Sequence, residues 1–235
     1  MGILDYTTYE EARENFSWDQ VWEIFDGNSE RFNIAHECID RHVGKGTAVR
    51  LKFDDGRTET YSFDEISAWS SQFAHGLASL GVARGDRVAV MLDPSKEFYV
   101  AVFGALKLGA QVVPCFTLFA PENVEYRLRD SNAKVLVTTA KKAGEIDSNR
   151  VRRIITAGDD FDDFIANHLA HFDVCPTRAE EIAVLQYTSG TTKQFPSAIP
   201  HFHKSLYTAT PNGVFVIGLR PGDRYFCPSS PAWGY

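Results

Sequence analysis

Little in this 235-residue sequence marks it for a membrane, for nucleic acid or for an oxidising compartment. No apolar run approaches the roughly 20 residues a helix needs to cross a bilayer. Positive charge is not in excess. Lys and Arg number 24 against 31 Asp and Glu, a formal net charge of −7 that argues against non-specific nucleic-acid binding. Cysteine is sparse and widely spaced. Cys38, Cys115, Cys175 and Cys227 form no CxxC pair and adjoin apolar or strand-like sequence, which predicts reduced, mostly buried thiols in a cytoplasmic protein. The opening MGILDYTTYEEAREN is acidic and polar and predicts neither a signal nor a transit peptide. No GK[ST] follows a glycine at Walker spacing, which disfavours a kinase of that class. What remains is a globular composition, 44% hydrophobic, long enough for one large domain or two smaller ones.

The pattern begins with short amphipathic helices carrying Trp18, Trp22 and Phe25, expected to pack as an arm, and a further helix over 32–42. Asp54-Asp55-Gly56-Arg57 between 49–53 and 58–61 predicts a hairpin. Steps of three and four among Phe63, Ile66, Trp69, Phe73, Leu77 and Leu80 predict a helix over 63–80, stopped by Gly81. Apolar strands at 87–92, 111–115, 134–138 and 153–157 then alternate with helices at 96–108, 121–130 and 160–168. Such alternation predicts an α/β fold, a mostly parallel sheet with helices on both faces. The chain divides into a helical arm (1–45), a first αβ subdomain (46–177) and a loop with the start of a second, related αβ layer (178–235).

That second layer rests on an internal echo. LGVARGDRVAVM at 80–91 and IGLRPGDRYFCP at 217–228 share the spacing of Gly85/Gly222, Asp86/Asp223 and Arg87/Arg224. Several strand–helix pairs follow the first Gly-Asp-Arg turn, whereas 11 residues follow Arg224, so the second unit looks unfinished.

The segment 186–203, QYTSGTTKQFPSAIPHFH, carries the chemistry. Thr188, Ser189, Thr191 and Thr192 supply hydroxyls, Lys193 a cation, and Gly190 a backbone free to turn and approach a ligand. Delivered by an apolar strand at 182–185 and followed by a helix expected over 201–216, such a loop suits a polyphosphate. His201 and His203 are expected to begin that helix, one packed and one exposed, rather than to bind metal, since no third ligand lies nearby. Asp159, Asp160, Asp162 and Asp163 resemble an aspartate-rich diphosphate motif of all-helical enzymes. In an α/β chain they read as acidic residues opening a short helix.

TSGTT after an apolar strand, followed by Pro196 and His201, resembles the phosphate loop of AMP-forming acyl- and aryl-CoA synthetases, members of the adenylate-forming ligase superfamily. FNIAHECIDRH, the block from TYSFDEISAWSS to RVAVML, and AVFGALKLGAQVVPCFTLFAPENVEYRLRDSNAKVLVT resemble the family's N-terminal region in order and spacing, and CPSSPAWGY resembles the segment lining its acyl pocket. The opening is more similar to acetyl- and medium-chain acyl-CoA synthetases than to luciferases. One departure stands out. The family continues TSGTTG-x-P-K-G, but here Lys193 follows TSGTT, one extra residue precedes Pro196, and Ser197 occupies the place of the family's lysine.

The resemblance implies an ATP-dependent acid–CoA ligase of acyl, including fatty acid, metabolism, using ATP, Mg²⁺ and coenzyme A. Thr188, Ser189, Gly190, Thr191, Thr192 and Lys193 would hold the phosphates, and Trp233 and Gly234 would line the acyl pocket. It assigns no metal-ligating residue. The expected catalytic lysine lies beyond the chain, so these 235 residues alone are expected to be inactive. The partners implied are the carboxylic acid, ATP and CoA, with a homo-oligomer allowed and neither nucleic acid nor a membrane span. The alternative is a non-catalytic remnant of that family that binds a nucleotide or a partner. A carrier-protein thiol is a further acceptor that the sequence leaves open.

Overall fold

Residues 2–188, 196–230 and 232 are described by the computed structural model. Helices α1 (Tyr9–Asn15) and α2 (Asp19–Trp22) open the chain, followed by α3 (Ile34–Cys38). The helix expected over 32–42 is divided: Asn33 caps α3 by accepting from the Ala35 N–H, Ile39 leaves helical geometry, and a 3-10 turn follows at Asp40–His42. Strands β1 (Thr47–Lys52) and β2 (Thr58–Ser62) form the expected antiparallel hairpin. Helix α4 (Phe63–Ser79) starts on a capping box, in which Ser62 Oγ accepts from the Glu65 N–H and the Glu65 carboxylate accepts from the Ser62 N–H.

The alternating part follows as β3 (Arg87–Met91), α5 (Lys96–Lys107), β4 (Gln111–Pro114), α6 (Pro121–Ser131), β5 (Ala133–Thr138), α7 (Ala140–Ala143), β6 (Arg153–Thr156), α8 (Asp159–Ala166), β7 (Ile182–Tyr187), β8 (Ala198–Phe202) and α9 (Ser205–Pro211). One six-stranded sheet results, in the order β6-β5-β3-β4-β7-β8, parallel except where β8 runs antiparallel to β7. The period of two in β3 sends Val88 and Val90 to the face covered by α4, α5 and α8, and Ala89 and Met91 to the face covered by α6. Both faces are buried, which is why these strands read as unbroken apolar runs.

The stretch 201–216 does not begin as a helix. Residues 198–202 form β8, α9 starts at Ser205, and a π-helical turn at Asn212–Ile217 continues it. AIPHF has no helical period, and Pro200, lacking an N–H, is tolerated on an edge strand. In addition, β7 and β8, placed by the sequence division in the second unit, hydrogen-bond into the first sheet, so that layer extends to Phe202. The acidic run opens α8 as expected: Asp159, Asp160 and Asp162 lie in its first turn, where Asp160 accepts from the Thr156 N–H at 2.7 Å.

The arm packs against α9. The Trp22 ring stacks on Tyr207 with centroids 4.2 Å apart, and the Tyr207 hydroxyl donates to the Trp18 carbonyl. A strap at 174–179 is stitched under the arm: Asn33 Nδ2 donates to the Leu106 and Cys175 carbonyls, and Phe32 N–H to the Thr177 carbonyl. All four cysteines are free. Cys115 is buried, Cys38 and Cys175 are partly covered, and Cys227 is exposed, against the expectation of mostly buried thiols. Burial pushes the Cys115 thiol up to about 12.

Helices α4 and α5 approach closely at Gly104, where an added Cβ would lie 2.7 Å from the Ser70 carbonyl oxygen and 2.8 Å from the Phe73 ring. Gly104→Ala gains about 1 kcal/mol of helix propensity. Forced overpacking costs about 1–3 kcal/mol, and a backbone carbonyl cannot swing aside, so we expect net destabilisation. A lower denaturant midpoint at unchanged slope would register it.

Candidate functional site

Strand β7 ends at Tyr187, at the carboxyl edge of the sheet where parallel α/β proteins bind ligands. Thr188 follows directly. Its N–H donates to the Ser197 carbonyl at 3.1 Å, and its Oγ1 accepts from the Ser197 N–H at 3.2 Å. These two bonds close the base of the loop 189–195. Thr188 is therefore partly a structural residue. Ser197 serves the closure through its backbone.

Helix α6 braces the two flanks of the loop, at Tyr187 and Pro196. Tyr126 donates its hydroxyl to the Pro196 carbonyl at 3.0 Å, and Tyr187 donates to the Asp130 carboxylate at 2.6 Å. Between them lies Arg127, 2% exposed, which donates to the Asn123 carbonyl at 2.8 Å. Its guanidinium sits 4.1 Å from the Phe119 ring centroid and 5.4 Å from that of Tyr187. Burial lowers the pKa of Arg127, and its Nε is buried without a hydrogen-bond partner. Burial, reinforced by the Asp130 carboxylate, raises the Tyr187 phenol and keeps it a donor. The carboxyl end of β7 and the residue that closes the loop thus rest on Tyr126, Arg127 and Asp130 of α6. Sequence reasoning missed Tyr126, Arg127 and Asp130. Their i, i+1, i+4 spacing was visible, but the contacts cross 57 to 70 residues of chain.

Of the predicted phosphate-binding residues, Thr188 stands at the loop's entrance. Ser189, Gly190, Thr191, Thr192 and Lys193 lie outside the described residues, as do Trp233 and Gly234. One contact links strand β7 to the closing segment: Gln186, the penultimate residue of β7, donates from its side-chain amide to the Ala232 carbonyl.

His201 is exposed and His203 is 1% exposed, the split expected of the pair, but on an edge strand and the turn after it. His203 Nδ1 accepts from the Ile34 N–H at 3.1 Å, satisfying a donor at the start of α3, and burial pushes the imidazole down to about 4. Among the described residues, no cluster of three or more His, Cys, Asp or Glu is arranged to hold a metal ion, and no helix is long and apolar enough to cross a membrane. A cavity of about 270 Å³ between arm and strap shares no lining residue with the loop base. Its polar groups are paired internally: His36 with Asp26 at 3.0 Å, and Glu37 with the Gly27 N–H and Arg41. It reads as part of the arm's packing.

Comparison with known proteins bears on this geometry. The chain is 29% identical, over an alignment 249 positions long, to the acetyl-coenzyme A synthetase of Bacillus subtilis, covering 99% of this chain and 43% of that protein. The crystal structure of a Brucella canis acyl-CoA synthetase superposes with a TM-score of 0.87 at 26% identity, over 97% of this chain and 44% of that one. An anthranilate CoA ligase, solved in complex with anthranoyl-AMP, superposes with a TM-score of 0.72 at 32% identity over 83% of this chain and 38% of its own. The chain thus spans about two fifths of the length of the curated relatives it matches. The family model described as AMP-binding enzyme matches residues 39–235, which include the loop, its brace and the closing segment, and the chain belongs to that family.

Proposed function

We propose that this chain supplies the ATP-phosphate grip and part of the acid pocket of an ATP-dependent acid–CoA ligase. In the first half-reaction a substrate carboxylate oxygen attacks the α-phosphorus of ATP, and pyrophosphate leaves. In the second, the thiolate of coenzyme A attacks the acyl-adenylate carbonyl and AMP leaves. A carboxylate accepts a nucleophile poorly until its oxygen belongs to a good leaving group, and adenylation creates one. Charge builds on the departing pyrophosphate, and prepositioned donors and cations stabilise it, with Mg²⁺ adding its charge when ATP brings it.

The observation that carries this reading is the junction at Gln186 and Thr188. A hydroxyl-rich loop leaves the carboxyl edge of a parallel sheet, and Gln186 tethers the segment bearing Trp233 to the same strand. Thr188, Ser189, Gly190, Thr191, Thr192 and Lys193 would hold the β- and γ-phosphates, with Trp233 and Gly234 beside the acid. Lys193 is assigned the charge that Ser197 cannot supply, since an ammonium on a flexible stem can reach a phosphate from a shifted position. A cytoplasmic setting belongs to the same proposal.

Titration of ATP into the 235-residue chain tests the grip. Lys193→Ala is expected to weaken binding about tenfold, a typical loss for one exposed charge-assisted contact. Absence of ATP binding by the parent chain would remove the phosphate-loop reading, and an unchanged affinity would remove Lys193 from it. ATP–pyrophosphate exchange over a panel of carboxylic acids is expected to be nil for this chain alone. Robust exchange would show that the chemistry needs nothing further.

A further inference from the structure

Among the described residues, the buried side chains that carry a full charge are Glu37, Lys107 and Arg127. The first two are answered. Glu37 pairs with Arg41 at 2.7 Å and accepts from the Gly27 N–H at 2.8 Å. Lys107 reaches the Asp40 carboxylate at 2.6 Å and donates to Ser71 Oγ and the Ser67 carbonyl, each at 2.9 Å. Arg127 is the exception. Among the described residues it donates to the neutral Asn123 carbonyl, its Nε has no partner, and no carboxylate pairs with it.

The surroundings of this guanidinium are neutral as well. Phe119 and Tyr187 offer it their rings. The titratable groups that face it are Cys115, directly after β4, Tyr187 at the end of β7, and Tyr126 on its own helix. Burial holds the Cys115 thiol and the Tyr187 phenol in their neutral forms. Asp130, also on α6, is exposed and is engaged by the Tyr187 hydroxyl. A guanidinium keeps its proton even when buried, so this charge is permanent. Ring contacts offset part of the cost of burying it, but an unpaired charge in a water-poor interior stays costly until an anion approaches. Weak screening there also lets the charge act over a longer distance than it would at the surface. Tyr187 is the last residue of β7, and Thr188, the next, opens the loop assigned to polyphosphate.

We propose that Arg127 is a positioning residue that selects the ligand by charge. Its field favours the more highly charged phosphate chain at the carboxyl end of β7, without touching it. This rests on the phosphate-loop reading above and adds a preference to it, for triphosphate over pyrophosphate over orthophosphate. In an acid–CoA ligase that is a preference for the ATP consumed over the pyrophosphate released. Coulombic attraction grows with the charge of the ligand, whereas the support given by a merely structural arginine does not.

The test is calorimetric titration of tripolyphosphate, pyrophosphate and orthophosphate into the full 235-residue chain and two variants. Arg127→Met removes the charge and keeps a stem of similar reach. It should weaken tripolyphosphate binding about tenfold and pyrophosphate binding about threefold. Arg127→Lys keeps a charge that pH can remove, because a buried ammonium gives up its proton more readily than an exposed one. Relative to the parent at the same pH, its tripolyphosphate affinity should lie within about threefold at pH 6 and fall about tenfold by pH 9. Circular dichroism shows whether each variant is folded. If Arg127→Met does not fold, the pH profile of Arg127→Lys decides alone. Parent-like affinity in Arg127→Met would overturn the proposal. So would an equal loss for all three ligands, or a flat Arg127→Lys profile, and each of these leaves the phosphate loop standing. A parent chain that binds none of the three ligands removes the phosphate-loop reading, and Arg127's role with it.

Discussion

Phe73→Ala is expected to cost about 3–5 kcal/mol, the usual loss for truncating a fully buried phenylalanine. Phe73 has no exposed surface. Its ring stacks on Phe161 with centroids 5.3 Å apart and planes 13° from parallel, and meets the edge of Phe164 at 5.5 Å. It therefore joins α4 to α8 while filling the space that Gly104 leaves on α5. Removing the ring withdraws contacts from three helices at once, and the stacked Phe161 cannot follow without moving α8 off the sheet. Against a typical domain stability of about 5–15 kcal/mol, the loss is a large share. Urea unfolding should show a much lower midpoint, and amides of α8 should lose protection first. A change under about 1 kcal/mol would mean that the site collapses around the gap. Gly104→Ala in the Phe73→Ala background should cost less than alone, because one of its two clashes has gone. The clash with the Ser70 carbonyl persists.

The second large effect is one of pH. The His203 imidazole is pushed from its ordinary 6.5 down to about 4 by burial. The Glu181 carboxylate opposes that shift in part and Arg84 adds to it. Above 6.5 the imidazole is neutral in folded and unfolded chains and contributes nothing. Between 6.5 and about 4 the unfolded chain takes a proton that the folded one refuses, so stability falls with falling pH. Below about 4 both are protonated and the loss stops growing. At about 1.4 kcal/mol per pH unit, the window is worth about 3 kcal/mol. Protonation also converts Nδ1 from an acceptor into a donor facing the Ile34 N–H. His203→Asn retains an acceptor and removes the proton site, so its Tm should stay flat where the parent's declines. Parallel curves for the two proteins between pH 6.5 and 4 would dismiss the role. Glu181, held low by its hydrogen bonds with Arg84, loses its contribution as pH falls below its ordinary 4.5. The two windows are therefore largely separate.

The parts legible in the sequence were those governed by local periodicity. The 3.6-residue repeat of Phe63 to Leu80 places α4 within one residue of its observed end. The apolar runs place β3 to β7 because burial on both faces removes any polar alternation. What stayed hidden depends on partners far along the chain. AIPHF carries a proline and a histidine and reads as nothing in particular until β7 offers it an edge. His203 meets Ile34 across 169 residues, and Tyr126 meets Pro196 across 70. No window of sequence encodes such contacts. At the candidate site, the motif identified the loop and its strand, whereas the buried guanidinium beneath them emerged only with α6 in place.

The two hydrogen bonds between Thr188 and Ser197 carry a consequence for how this loop tolerates change in length. They fix the span between its ends, so an inserted residue is absorbed within the loop and the pairing of β7 with β8 keeps its register. Lengthening a loop from six to seven residues costs only about 0.1 kcal/mol of closure entropy. The extra residue beside Lys193 is therefore nearly free to the fold, and the positions 189–195 can gain or lose a residue between homologues while the sheet on which they stand remains the same.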